Sequence, residues 1–200
     1  MKRIAPMARR NYLTLCVAGA MGGLFSLLLL LAQAPLWSQL PLTLISIGAI
    51  VLGWLKWQEP AVSLLLNRYG LCYCHRKGYW RVSWQQIQRL DTVRYNNEAL
   101  PYIGLRFRPR SQPLALSPRL ALALFLEQRE LCRLAAPTQN PMELLLQPPY
   151  SVLDGFRLQQ RLLRARLGYD IYLPQSAFDR SITAAQQQLQ GYWKNAFLLT

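Results

Sequence analysis

The hydrophobic pattern divides the chain into an apolar first quarter and a longer part in which apolar and polar residues alternate. No charged residue occurs between Arg10 and Lys56. The run from Tyr12 to Ala34, if helical at about 1.5 Å per residue, reaches roughly 34 Å and exceeds a hydrocarbon core of about 30 Å. A second apolar run, Leu40 to Trp57, reaches about 27 Å, with Trp37, Trp54 and Trp57 placed as interfacial anchors. Pro35 and Pro41 bracket the short connection between them, which predicts a tight hairpin. We therefore expect a transmembrane hairpin in residues 1–58, with spans at about 12–34 and 40–57, followed by a domain in residues 59–200.

Beyond the hairpin the period changes to two. Leu71–Arg76 and Tyr79–Trp84 flank Lys77-Gly78 and predict a β-hairpin, with Trp80, Val82 and Trp84 on one face and Tyr79, Arg81 and Ser83 on the other. Trp84, Ile87 and Leu90 are spaced by three and suggest a short helical turn. Asp91–Tyr95 and Tyr102–Phe107 then resume the extended pattern around Asn96-Asn97. Ser117-Pro118 is an N-cap followed by proline at the first helical position, and predicts a helix running from Leu120 to Leu134. Pro137, Pro141, Pro148 and Pro149 mark a loop. Val152 to Leu167 has helical periodicity and is stopped by Gly168, with Leu153, Phe156, Leu163 and Leu167 inward and Arg157, Arg161 and Arg164 outward. Tyr169–Leu173 predicts a short strand, and Ser176 or Asp179 a cap for a last helix through Trp193. The fold class is α+β.

Charge sets the orientation. Lys2, Arg3, Arg9 and Arg10 precede the first apolar run and Lys56 and Arg68 follow the second, whereas the connection carries no charge. The positive-inside rule then places both termini in the cytoplasm. A rival reading of Ala32-Gln33-Ala34 as a signal-peptide cleavage site leaves the second run as a single span and the domain still cytoplasmic. Gly19 and Gly23, and Ala49 and Gly53, are each four apart and make small-residue stripes. These suit mutual packing of the two helices or, alternatively, homo-oligomerisation through Gly19 and Gly23. Apart from Lys56 at the end of the second, neither apolar run contains Asp, Glu, Lys, Arg or His, which argues against a transporter or channel.

The order of elements carries a resemblance. Two spans, a strand hairpin, the Trp84-Gln-Gln-Ile-Gln-Arg-Leu90 turn, a further strand pair and a helix resemble small membrane-anchored bacterial proteins with a pleckstrin-homology-like domain. Gly168-Tyr-Asp-Ile-Tyr-Leu-Pro174, followed by Phe178-Asp179 and a helix, is similar to the tail of an uncharacterised two-span family of that kind. The resemblance implies a strongly bent antiparallel sheet with a capping helix, a place in the inner membrane, and no enzymatic activity. The helical tail from Val152 onward departs from it.

Candidate chemistry is sparse. Cys72, Cys74 and His75 form a C-x-C-H cluster, yet on a strand the two thiols face away from the imidazole, and Cys132 is the only other thiol outside the apolar runs. Structural, buried, reduced thiols are expected rather than a metal site. His75 has a side chain suited to a general base, but no nucleophile elbow, HExxH, P-loop or GxGxxG accompanies it. No catalytic residue, cofactor or metal is assigned.

The charge balance is more informative. Residues 58–200 hold 18 Lys and Arg against 9 Asp and Glu. Arg106, Arg108 and Arg110 alternate with apolar residues, and Arg76, Lys77 and Arg81 are expected on a neighbouring hairpin. These six residues are the candidates for contact with anionic lipid headgroups, where each basic side chain contributes about 1 kcal/mol. Nucleic acid is not expected, since the aromatics alternate as a core does and no nucleic-acid fold signature is present. The function expected is a non-enzymatic inner-membrane scaffold or adaptor, with an unknown membrane or cytoplasmic protein as partner. The alternative is an enzyme acting at the membrane surface on a lipid or lipid-linked substrate.

Overall fold

The computed structural model describes residues 1–6, 11–33, 35–109, 111, 114–135 and 151–198. The chain forms two compact units: Ala8–Ala61, and Met1–Met7 together with Val62–Thr200.

The first unit is a pair of helices, α1 (Tyr12–Leu31) and α2 (Leu36–Trp57). Both are long and apolar enough to cross a membrane. Their large apolar side chains are mostly exposed, including Leu28, Ile45 and Trp54. The two helices pack on each other through small residues. A Cβ at Gly19 would lie 2.7 Å from Ile50 Cγ1 and 2.9 Å from the Ser46 carbonyl oxygen, and a Cβ at Gly53 would meet the Cys16 backbone nitrogen at 3.1 Å. Gly23 has open space where its Cβ would be, so it does not share the packing face of Gly19. Ser26 and Thr43 hydroxyls meet at 2.6 Å across the pair, a polar contact suited to an apolar surround.

Pro41 lies inside α2 rather than in the connection, which corrects the expected loop. Pro35 is the extended residue ahead of Leu36, so the helix starts early and Pro41 forgoes only a bond to the Trp37 carbonyl.

Among the described residues, the second unit holds seven strands. β1 (Lys2–Ile4), β2 (Leu64–Leu66), β3 (Gly70–His75) and β4 (Gly78–Ser83) form one antiparallel sheet in sequence order. β5 (Ile87–Tyr95), β6 (Glu98–Phe107) and β7 (Ile171–Pro174) form a second. Its helices are α3 (Pro118–Glu127), α4 (Arg129–Ala135), α5 (Val152–Leu167) and α6 (Ile182–Leu198). The α+β class is as expected. Lys2–Ile4, read from sequence as part of a basic flank of the hairpin, supply an edge strand to the first sheet.

Local chemistry explains the boundaries. Asn96 and Asn97 both take positive φ, 50° and 66°, the turn geometry that joins two twisted strands with a two-residue loop. Ser83 and Gln86 exchange capping bonds around a 3-10 turn, Trp84–Gln86, and the strand begins at once afterwards. The short helical turn expected here is this Trp84–Gln86 turn, but it ends before Ile87: a register shift between Ile87 and Arg89 inserts an extra residue, so Ile87 and Leu90, three apart, both reach the core from a strand. Ser117 Oγ accepts from Leu120 N at 3.3 Å, as its sequence predicts. The helix after it breaks at Gln128 into α3 and α4 instead of running through to Leu134. α5 has the expected limits, with a Ser151–Asp154 capping box at one end and Gly168 at φ 85° at the other. The last helix is capped by Ser181, whose Oγ faces Ala184 N at 3.5 Å, and not by Ser176 or Asp179. The proline-rich loop expected at 137–149 lies outside the described residues.

One large core joins an inner face of both sheets to α3, α5 and α6 through Leu64, Trp80, Trp84, Leu105, Phe125, Phe156 and Leu189. A second, smaller cluster sits on the other side of the β5–β7 sheet, where Val93 and Tyr172 meet Leu131, Cys132 and Leu163 of α4 and α5. Cover is therefore unequal. The three-stranded sheet carries buried clusters on both faces, whereas Arg3, Tyr79 and Arg81 remain exposed on the first sheet.

Candidate functional site: the cationic hairpin and its sheet

β3 and β4 pair from Gly70↔Ser83 to His75↔Gly78, so the turn between them is Arg76-Lys77, one residue earlier than the sequence suggests. Both turn residues are exposed. The register fixes where this tip lies. Ile4 pairs with Leu64, Leu64 with Tyr73, and Tyr73 with Trp80, making one row across the sheet. The tip continues β3 and β4 past this row, on the side from which β1 runs out toward α1 and from which the chain arrives from α2. The Cys74 amide donates to the Ser63 carbonyl at 2.7 Å, so the incoming linker runs directly beside the hairpin.

His75 braces the tip. Its Nδ1 accepts from the Lys77 amide at 3.0 Å, which leaves the proton on Nε2 to donate to Glu127 Oε1, also at 3.0 Å. The imidazole therefore joins the hairpin to the end of α3. Tyr73 stacks beside it, with ring centroids 6.4 Å apart.

The sheet has one sign of charge. Residues 2–4 and 64–83 include Lys2, Arg3, Arg68, Arg76, Lys77 and Arg81 and no Asp or Glu. Arg81 stands on the outer face opposite Cys72, with its guanidinium 5.0 Å from the centre of the exposed Tyr79 ring. At the far end, the Arg68 guanidinium lies 4.5 Å above Tyr69, beside a turn held by Asn67, whose Oδ1 accepts from the Tyr69 and Gly70 amides.

The remaining candidates are elsewhere. Arg106 is on β6 of the other sheet and half-buried, opposite Arg89, and β6 is bonded to β5 and β7 rather than to the β3–β4 hairpin. Arg89 is held by Asp91 at 2.6 Å and lies over Tyr169, which caps this face. Arg108 is exposed just past the strand, where its amide donates to the Gln86 carbonyl at 2.8 Å. Arg110 lies outside the described residues. The neighbouring-hairpin expectation is thus corrected: Arg76, Lys77 and Arg81 share one sheet, and Arg106 belongs to the other. What the sequence reading missed is that Lys2 and Arg3 join the first group through β1. A Lys-Arg-Ile triplet ahead of a long apolar helix carries no strand signal of its own.

The thiols also depart from expectation. Cys72 and Cys74 are half-buried on the outer face, not in the core, because the core residues of β3 are Leu71 and Tyr73, which alternate with them. Burial and the neighbouring Cys72 push the Cys74 thiol up to about 11, so at neutral pH it holds its proton. Cys132 is buried in the second cluster, and burial raises its pKa. Among the described residues, no group of three His, Cys, Asp or Glu side chains converges as a metal site requires.

These features define an α+β chain with two apolar N-terminal helices, followed by antiparallel sheets and C-terminal helices. It belongs to the family described as protein of unknown function DUF2982, whose model matches residues 64–195. No curated protein and no solved structure matches the chain.

Proposed function

We propose that this chain is a non-enzymatic, two-span protein of a bacterial inner membrane, with both termini cytoplasmic. Its pleckstrin-homology-like sheet domain serves as a scaffold or adaptor held against anionic lipid. The observation that carries the reading is the position of Arg76-Lys77, exposed at the end of an acid-free sheet from which the linkers to α1 and α2 leave. Those linkers are short. Ile4 to Tyr12 and Trp57 to Leu64 allow at most about 30 Å even when fully extended. If α1 and α2 span the bilayer, the tip is held within reach of headgroups on the positively flanked side. The four- and three-stranded antiparallel sheets with helices packed on them support the pleckstrin-homology-like reading.

Lysine acylation tests this directly. The full chain is placed in phosphatidylglycerol or phosphatidylcholine nanodiscs and treated with a water-soluble acetylating reagent, and modification is mapped by mass spectrometry. Lys77 should be protected several-fold in the anionic discs at low salt, and exposed again as salt screens the contact. Lys194, exposed on α6, is the internal standard. Equal modification of Lys77 in both lipids at low salt overturns the reading.

A further inference from the structure

The connection that leaves β6 is rich in proline, yet its Leu114 and Leu116 pack against the main core instead of standing in solvent. Between this connection and α5 lies a cavity of about 500 Å³. Phe107, Leu114, Leu153 and Phe156 supply its apolar surface, and Arg157 and Arg164 supply charge. It shares Phe107, Ser111, Leu114 and Ala115 with a second hollow of about 220 Å³, which Arg81 also lines. The volume lies within the range of about 300–1,000 Å³ typical of small-molecule sites.

The polar groups at this cavity favour an anion. Asp170 is already engaged: its Oδ2 accepts from the Phe107 amide at 2.7 Å and its Oδ1 from Arg164 Nη1 at 2.8 Å. The Asp170 side chain is only 14% exposed, against 42% for Arg164. Gln160 is turned to the Asp170 carbonyl at 3.0 Å. Arg157 touches Asp154 at 3.5 Å, and its side chain is 59% exposed. Each guanidinium has five donors, so both keep N–H groups for a further acceptor. A neutral apolar molecule would leave those donors unused, and a free inorganic anion would leave the hydrophobic floor wet.

We propose that this cavity binds a single-chain anionic amphiphile, with its tail over Phe107, Leu114 and Leu153 and its acidic head at Arg157 and Arg164. The site is distinct from the Arg76-Lys77 tip, and neither proposal requires the other.

The test uses the full chain in phosphatidylcholine nanodiscs and a diazirine-bearing C12 carboxylic acid, compared with the corresponding alcohol. Photolabelling by the acid should map to peptides containing Leu114 or Leu153, and unlabelled dodecanoate should compete while dodecanol does not. Ala115→Trp places bulk in the cavity from an exposed position and should abolish this labelling. Arg157→Glu should reduce it about tenfold, the factor expected for losing one favourable charge contact and gaining a repulsive one. Labelling of these peptides equally by acid and alcohol overturns the charged head site. Acid labelling confined to α1 and α2 overturns the site altogether. A benzophenone at position 115 that crosslinks to residues 136–150 rather than to added amphiphile would show that the chain itself fills the cavity, and would also overturn it.

Discussion

Ile4 and Leu64 are register partners across β1 and β2, so the residues on either side of the helical hairpin meet in one sheet. Ser63 reinforces the junction, with its amide donating to the Ile4 carbonyl at 2.9 Å and its hydroxyl within 3.1 Å of the same oxygen. The helical pair is thus an insertion between two adjacent strands of one sheet. That arrangement makes the β-domain's edge dependent on the extreme N-terminus.

Ile4 is 3% exposed. Ile4→Asp should therefore cost at least about 2 kcal/mol by placing a carboxylate in the apolar core, whereas Ile4→Val should cost about 1 kcal/mol. Urea unfolding of the full chain, followed by tryptophan fluorescence, checks both. A midpoint unchanged by Ile4→Asp would show that β1 contributes nothing to the folded domain.

The sequence was most legible where one physical signal acted alone. The apolar runs, the Ser117-Pro118 cap, the Asn96-Asn97 turn and the Gly168 stop each depend on chemistry within a few residues. The alternation of Trp80, Val82 and Trp84 named a buried face correctly because only one side of that strand is covered. Failures came where tertiary structure intervened. The bulge after Ile87 made a strand imitate helical spacing, and covering both faces of β6 placed Arg106 in a half-buried position that alternation alone reads as exposed. Lys2 and Arg3 were read as topology signals, since strand pairing with residues beyond an intervening helical pair leaves no local trace. For the candidate site, the basic residues were visible but their division between two sheets was not. The strand order needed for that comes from long-range register.

Cys74 gives a pH test. Its thiol is raised from 9.0 to about 11, chiefly by burial and then by Cys72. The neutral form is the one favoured by folding, so this contribution is present below pH 9 and is lost as pH rises from 9 to 11. Iodoacetamide should modify Cys74 slowly at pH 8 and much faster as pH approaches 11, read by peptide mass spectrometry. Rapid alkylation of Cys74 at pH 8 in the folded protein would contradict the environment described. Cys74→Ser should flatten the alkaline decline in stability between those limits.

Tyr172 makes a second prediction through its hydroxyl. Its side chain is buried, and the oxygen lies 3.1 Å from the Leu163 carbonyl and 3.0 Å from the Tyr169 carbonyl. The single proton is thus shared between a carbonyl in the last turns of α5 and the Tyr169 carbonyl just past its Gly168 stop. Burial raises its pKa strongly. Tyr172→Phe should lower stability by about 1–2 kcal/mol, because buried carbonyls lose a donor while the ring packing stays. Equilibrium denaturation measures this, and an unchanged midpoint would mean that water replaces the hydroxyl at no cost. In the intact protein, ultraviolet titration should lose a tyrosine signal in Tyr172→Phe that in the parent chain appears only when the domain unfolds in alkali.

A tight sequence requirement stands at Gly104, in the middle of β6. A Cβ there would fall 2.6 Å and 2.7 Å from the Cδ1 and Cδ2 atoms of the Tyr169 ring, closer than carbon atoms can approach. Tyr169 is itself 4% exposed, with the Arg89 guanidinium 5.4 Å from its centre, so the ring has little room to retreat. Gly104→Ala should then destabilise by about 1–3 kcal/mol through overpacking, although alanine suits a strand better than glycine does. Tyr169→Ala removes the obstacle at its own cost in lost packing. The two changes occupy the same space, so in the Tyr169→Ala background the added methyl should cost little or become favourable. A double-mutant cycle by urea unfolding should therefore give a coupling of about 0.5–3 kcal/mol, in the direction of mutual rescue. Strict additivity would mean that the strand moves away from the ring instead. In that case glycine at this position would owe nothing to Tyr169.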